Sequence, residues 1–193
     1  MSKDLTDEII KIEFDMFDKV NNEGGRASCQ DDFKTFEIMR GSQFDAWSQE
    51  MRESYLNDLK KALDDGRNLV MEKYAYMTGY SYMGEEDDII EKETLLMKIM
   101  SRMHDKTIEM RQKYPNISKH SRPVATNTQN GTVGVDQYLL CELMTYSVET
   151  LRRYNAYLEE LEKDGKSLPL MTLENTMERY GFKDLDEAEA KMV

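Results

Sequence analysis

Four charged side chains interrupt apolar helical stripes, and their positions ask for a chemical explanation. Glu13 falls between Ile9 and Met16, Arg40 between Phe36 and Phe44, Lys73 between Val70 and Met77, and Glu142 between Leu139 and Tyr146, each at helical spacing from its neighbours. A buried, unpaired charge costs several kcal/mol, so each of these needs a partner or a ligand. Two acids and two bases suggest a buried ionic network. Two other readings stay open. In one, Lys73 snorkels and the others sit at the stripe edges. In the other, the group binds a ligand or does catalysis, with arginine fixing an anion and Glu13 or Glu142 as acid or base.

The segment NNEGGRASCQDD (21–32) is the second unusual feature. Gly24 and Gly25 allow positive φ or close backbone approach. Arg26, Ser28, Cys29 and Gln30 follow at the start of a predicted helix, whose free N–H groups and dipole favour an anion and would lower a thiol pKa. With Arg26, this end could hold a carboxylate or phosphate. Asp31 and Asp32 occupy the same turn and compete, so the alternative is a capped helix with Arg26 as its ion-pair partner. Walker A spacing is absent and no strand precedes the loop, which removes that route to nucleotide binding. Trp47 with Glu50, and Tyr146 with Glu149, read either as core aromatics with edge carboxylates or as groups facing each other across a groove. His104 and His120 are the only histidines, and no E-x-x-H, H-x-x-x-H or C-x-x-C occurs, so no metal site is expected. No cofactor is readable.

These groups must be positioned by helices. The 193 residues carry 26 Lys and Arg against 38 Asp and Glu, a net charge of −12, with 15 Met and 3 Pro. No proline precedes Pro115, and strand-like alternation is not sustained. The fold class is therefore all-α, a bundle of about six to seven helices in a single domain, 1–193. The predicted helices cover about 6–20, 30–66 with a kink at Gly41-Ser42, 68–80, 88–114 closed by Pro115, 136–163, a segment after Pro169 to Tyr180, and a short acidic piece at 184–191. Residues 115–134 form one long irregular segment. The acidic balance speaks against nucleic acid and anionic membranes as partners. No apolar run is long enough to span a bilayer, and residues 1–10 lack a signal-peptide core, so the expected location is cytoplasmic. Two cysteines, Cys29 and Cys141, fit a reducing compartment.

The order long helix, glycine, short helix occurs twice. Setting residue n against n+99 pairs Trp47 with Tyr146, Ser48 with Ser147, Glu50 with Glu149, Tyr55 with Tyr154, Leu59 with Leu158, Asp65 with Asp164, Gly66 with Gly165 and Leu69 with Leu168. All but the first are identities. The first helix matches at n+87, where Lys11-Ile12, Met16 and Asp18-Lys19 meet Lys98-Ile99, Met103 and Asp105-Lys106. This predicts two three-helix units, 5–82 and 88–183, related by a pseudo-twofold axis, with a groove between them as the natural ligand site.

The stretches EFDMF (13–17), NNEGGRASCQDD (21–32), TFEIMRGSQF (35–44), SYLNDL (54–59), GRNLVMEKYAYM (66–77) and ELMTYSVETL (142–151), with Trp47 and the G-K-S-L at 165–168, resemble a bacterial family catalogued as domain of unknown function, number 4125. The resemblance implies a small soluble bacterial protein and supplies no activity. A site in that family would use the matching Arg26, Cys29, Gln30, Arg40, Gln43, Trp47, Glu72, Lys73 and Tyr74.

The expected function is binding of a small anionic or amino-acid-like ligand in the groove between the repeats, by Glu13, Arg26, Cys29, Gln30, Arg40, Trp47, Lys73, Glu142 and Tyr146. Whether a reaction follows is left open. The alternative is a non-catalytic protein-interaction or regulatory module, with a protein partner or homo-oligomer meeting the Tyr- and Met-rich surface around Tyr74–Tyr82.

Overall fold

A computed structural model of the chain describes residues 2–21, 25–79, 88–126 and 132–193. Gly24, Tyr80 and Tyr82, named above, lie outside the described residues. Those described form ten α-helices, one short 3-10 turn and no β-strand. The helices are α1 (Ser2–Asp18), α2 (Phe33–Asp45), α3 (Gln49–Asp64), α4 (Leu69–Met77), α5 (Ile89–Lys113), α6 (Pro115–Lys119), α7 (Val135–Leu143), α8 (Val148–Lys163), α9 (Leu168–Arg179) and α10 (Leu185–Lys191). The 3-10 turn, Ser28–Asp31, precedes α2.

Ten helices replace the expected six to seven because two long helical segments are cut by serine caps and because the segment 115–134, expected to be irregular, opens with the short α6. Ser48 and Ser147 leave helical geometry, and their hydroxyls accept the N–H groups of Met51 and Thr150, each at 3.2 Å. A side chain that satisfies a free N–H at the start of a helix begins a new one there. The breaks turn Trp47 and Tyr146 into the interior, where both are buried. The helix is not divided at Gly41-Ser42, and α2 runs through it. A Cβ at Gly41 would lie 2.8 Å from the Arg179 guanidinium. The glycine therefore lets α9 come close enough for Arg179 to bond Asp45 at 2.5 Å. Pro115 ends α5 as expected, but it also opens the short α6, where its missing N–H is not needed.

α3 and α8 end alike. Gly66 and Gly165 take φ of +68° and +67°. The next residues, Arg67 and Lys166, donate to Ala62 O and Leu161 O, both at 2.7 Å. This is a left-handed stop that satisfies the last carbonyls of the helix.

The packing order follows from the apolar stripes. α1 lies against α2, α3 and α4, and α5 lies against α7, α8 and α9. The two groups meet where α3 packs on α8, α2 on α9 and α4 on α7. Ile9, Met16, Phe44, Met51, Leu59, Ile99, Leu143 and Leu151 are fully or almost fully buried in the main core. A smaller core of Tyr114, Ile117, Met177, Leu185 and Ala188 joins α6, α9 and α10. Glu189 of α10 accepts the N–H groups of Asn116 and Ile117 at 2.7 and 3.0 Å, which fixes the start of α6. Among the described residues, no helix is long and apolar enough to cross a membrane.

Gly165→Ala is expected to lower stability by about 1–2 kcal/mol, because alanine resists the left-handed conformation while a Cβ meets nothing there. Urea unfolding followed by circular dichroism checks this, and Gly66→Ala should match it within about 0.5 kcal/mol.

Candidate functional site

α1, α2, α4 and α7 each bring one ionised side chain to the interior, and the four meet. Glu13 is 2% exposed, Glu142 4%, Lys73 6% and Arg40 9%. Arg40 is the hub. Its Nε and Nη2 donate to Glu13 Oε2 and Oε1 at 2.6 and 2.5 Å, a two-pronged pair. Its Nη1 donates to Gln43 Oε1 at 2.7 Å and to Glu142 at 3.1 Å. Gln43 passes its own amide N–H to Glu142 Oε1 at 3.0 Å. Lys73 Nζ donates to Tyr138 Oη at 3.0 Å and to Glu142 Oε2 at 3.3 Å. Tyr55 Oη donates to Glu13 at 2.5 Å and Tyr146 Oη to Glu142 at 2.8 Å. Arg40 also lies over the Phe44 ring and Lys73 over the Tyr138 ring, at 4.7 and 4.5 Å from the centroids.

The formal charges of the four sum to zero. Taking each ion out of water costs several kcal/mol, and only this dense geometry offsets it. Burial by itself would raise the Glu142 carboxyl, but Arg40 and Lys73 beside it hold it well below the usual carboxylate range. Burial would likewise lower the Arg40 and Lys73 pKa values, and the adjacent carboxylates raise both above their ordinary values. The Tyr55 and Tyr146 hydroxyls are pushed up by burial and by Glu13 and Glu142 respectively, so they stay protonated and act as donors.

Beside the cluster is a cavity of about 700 Å³, bounded by α2, α5, α6, α7 and α9. Trp47, Tyr154, Gln43 and Glu142 belong to its wall on the side of the ionic cluster. Met39, Met103, Leu139, Leu173 and Met177 are among the apolar side chains that line the rest. Every Glu142 oxygen that faces the cluster already accepts from protein donors, so the acid is part of the frame.

Five of the sequence-selected residues, Glu13, Arg40, Lys73, Glu142 and Tyr146, therefore belong to one network. Trp47 sits next to them, edge-on to Phe44, Tyr55, Tyr146 and Tyr154. Arg26, Cys29 and Gln30 are elsewhere, at the C-terminal end of α1. Arg26 pairs with Asp18 at 2.5 Å and Asp31 at 2.9 Å. Gln30 is buried; its amide N–H groups reach Phe17 O and Val20 O at 2.9 and 3.0 Å, and its oxygen accepts from Ala27 N at 2.9 Å. It thus closes the carbonyl end of α1. Asp32 caps α2 through Thr35 N at 3.0 Å, and Cys29 is exposed on the 3-10 turn. Glu72 is held by Arg67, and Tyr74 stacks near Phe17. Sequence reasoning missed Tyr138 and the cavity residues Met39, Thr107 and Arg111. Arg111 lies four residues after Thr107, and thus on the same face of α5, a spacing that could have marked it. Among the described residues, no group of His, Cys, Asp and Glu could hold a metal ion.

Fold and site together define an all-helical domain with an ionised interior network next to an apolar cavity. The chain belongs to the family described as "Protein of unknown function (DUF4125)", which matches over residues 3–190. No curated protein and no solved structure matches it.

Arg40→Met strands Glu13 and Glu142 without their shared counter-ion and is expected to cost about 3–5 kcal/mol in urea unfolding. A second test uses pH. The folded-state pKa of Glu142 is depressed, so its contribution is present above the ordinary carboxylate value of about 4.3 and is lost as pH falls below it. The urea midpoint should fall progressively as pH drops from about 5 toward the depressed folded-state value, and Glu142→Gln should make that fall shallower.

Proposed function

We propose that this protein binds a small organic ligand in the cavity between its two helical blocks, with the ionic cluster as a rigid wall of the site. The observation that supports this reading best is the cavity itself. Its volume falls in the range of about 300–1,000 Å³ usual for ligand sites. Its lining is mainly apolar and includes flexible methionines, which adapt to irregular ligand shapes. It is also placed where packed blocks join, as ligand sites often are. α2 of the first block faces α5, α7 and α9 of the second across it.

We also infer that the two blocks descend from one doubled unit. The matching serine caps, the matching glycine stops and the reciprocal packing of α2 on α9 and α4 on α7 support this. Gln43 and Glu142, 99 residues apart, hydrogen-bond each other and would lie at the axis. On this reading the halves have diverged. The positions matching Glu13, Arg40 and Lys73 are Met100, Leu139 and Thr172. The first block keeps the charges, and Leu139 and Thr172 of the second line the cavity.

A thermal-shift screen of apolar and amphipathic metabolites tests the binding reading. A ligand present at 100 times its Kd should add about 2.7 kcal/mol of stability and raise Tm. Thr172→Trp, which places an indole ring in the cavity, should cut that shift sharply in a chain that still unfolds cooperatively. A shift of unchanged size in Thr172→Trp would place the ligand elsewhere.

A further inference from the structure

We propose that the cavity takes an organic acid with an apolar body, its anionic head held by Arg111 and its body among the methionine and leucine side chains; this rests on the binding reading above. Three observations lead there.

The first is the state of the other cations. Arg26 is held by Asp18 and Asp31, Arg40 by Glu13 and Glu142, and Lys73 by Glu142. None of the three belongs to the cavity wall. An anion bound there must find its counter-charge elsewhere.

The second is Arg111, in the last turn of α5 and part of that wall. Among the described residues, no carboxylate lies within ion-pair distance of it. Its Nη2 donates to two neutral oxygens, Ser121 Oγ at 2.9 Å and Arg122 O, while its Nε is buried without a hydrogen-bond acceptor. Burial pushes the guanidinium below its usual pKa, and the nearby charge of Asp136 only partly offsets this. A guanidinium has five N–H donors and binds carboxylate or phosphate with two of them at once. In a chain of net charge −12, such a cation beside an apolar cavity stands apart.

The third is that the carboxylates of the wall are already engaged. Glu142 is surrounded by Arg40, Lys73, Gln43 and Tyr146. Asp136 shares a hydrogen bond with His104 Nδ1 at 2.8 Å, and its charge also acts on Arg111. The recognition left for a ligand is one cation and a large apolar surface. That combination selects an amphipathic anion over a neutral or cationic molecule of the same size. His120, also in the wall, bonds Met192 O at 3.3 Å.

The test is isothermal titration calorimetry at neutral pH with decanoate and decan-1-ol, which share a chain and differ in the charged head. Decanoate should bind at least tenfold more tightly than the alcohol, as expected when a charge-assisted pair is made at a partly buried site. Arg111→Gln should bring decanoate down to the level of the alcohol and leave alcohol binding unchanged, while Arg111→Lys should restore part of the preference. A merely structural role for Arg111, tying down Ser121 and Arg122, would weaken both ligands alike and overturn the proposal. Equal binding of the two ligands that Thr172→Trp abolishes would overturn the role of Arg111 and leave the cavity as a binding site. Decanoate binding that survives both Arg111→Gln and Thr172→Trp would overturn both readings. No binding of decanoate at all would overturn the amphipathic-acid proposal, with the metabolite screen then deciding on the cavity by itself.

Discussion

The guanidinium of Arg40 is the constraint around which this interior is arranged. It sits between carboxylates from α1 and α7 and donates to both. A cation in that place is tolerable only if both acids are present. Both acids are in turn tolerable only with Arg40, Lys73 and the tyrosine hydroxyls in reach. The four helices that supply these groups are far apart in sequence, so none can shift without uncovering a charge. Apolar packing gives the core most of its stabilisation, since burial of large side chains contributes about 1.5–3 kcal/mol each. It does not by itself choose one register. Hydrogen bonds with fixed partners and directions do so, and here they run from α1 through α2 to α4 and α7.

That network divides the interior into two regions of different character. On one side every polar atom of the cluster meets protein. On the other, Trp47, Tyr154 and the side chains of α5, α7 and α9 line apolar space. The wall between the regions is made of Gln43 and Glu142, which bond each other. The proposed doubled unit accounts for the arrangement simply. On that proposal the seam began with like residues on both sides, and Leu139 and Thr172, at the positions matching Arg40 and Lys73, carry no charge where they line the cavity. For the binding proposed above, a wall already held by hydrogen bonds would need little ordering on binding.

Several parts of this were legible from residue spacing. Glu13, Arg40, Lys73 and Glu142 each interrupt an apolar stripe, and a charge on a buried face must find an opposite charge, so their convergence could be expected. Gly66 and Gly165 marked helix ends correctly, because only glycine takes the left-handed stop without strain. Other parts were not legible. The loop at 21–32 has the composition of an anion site. Yet Arg26 turns to Asp18, and Gln30 reaches back to the carbonyls of α1, contacts between segments that local spacing does not encode. The divisions at Ser48 and Ser147 were hidden because a serine inside a strong helical pattern looks the same whether it caps or is carried along.

Sequence alone determined the helical class, the faces that must be buried and the charges that could not be left there unpaired. These follow from periodicity and from the cost of removing an ion from water, both local properties. Tertiary structure decided which acid meets which base, which arginine is left without a carboxylate and where the blocks fail to fill the space between them. Those outcomes depend on distances between segments some 70 to 100 residues apart, as in the bonds from Glu142 to Lys73 and Arg40, and chain order does not specify such distances until the helices pack.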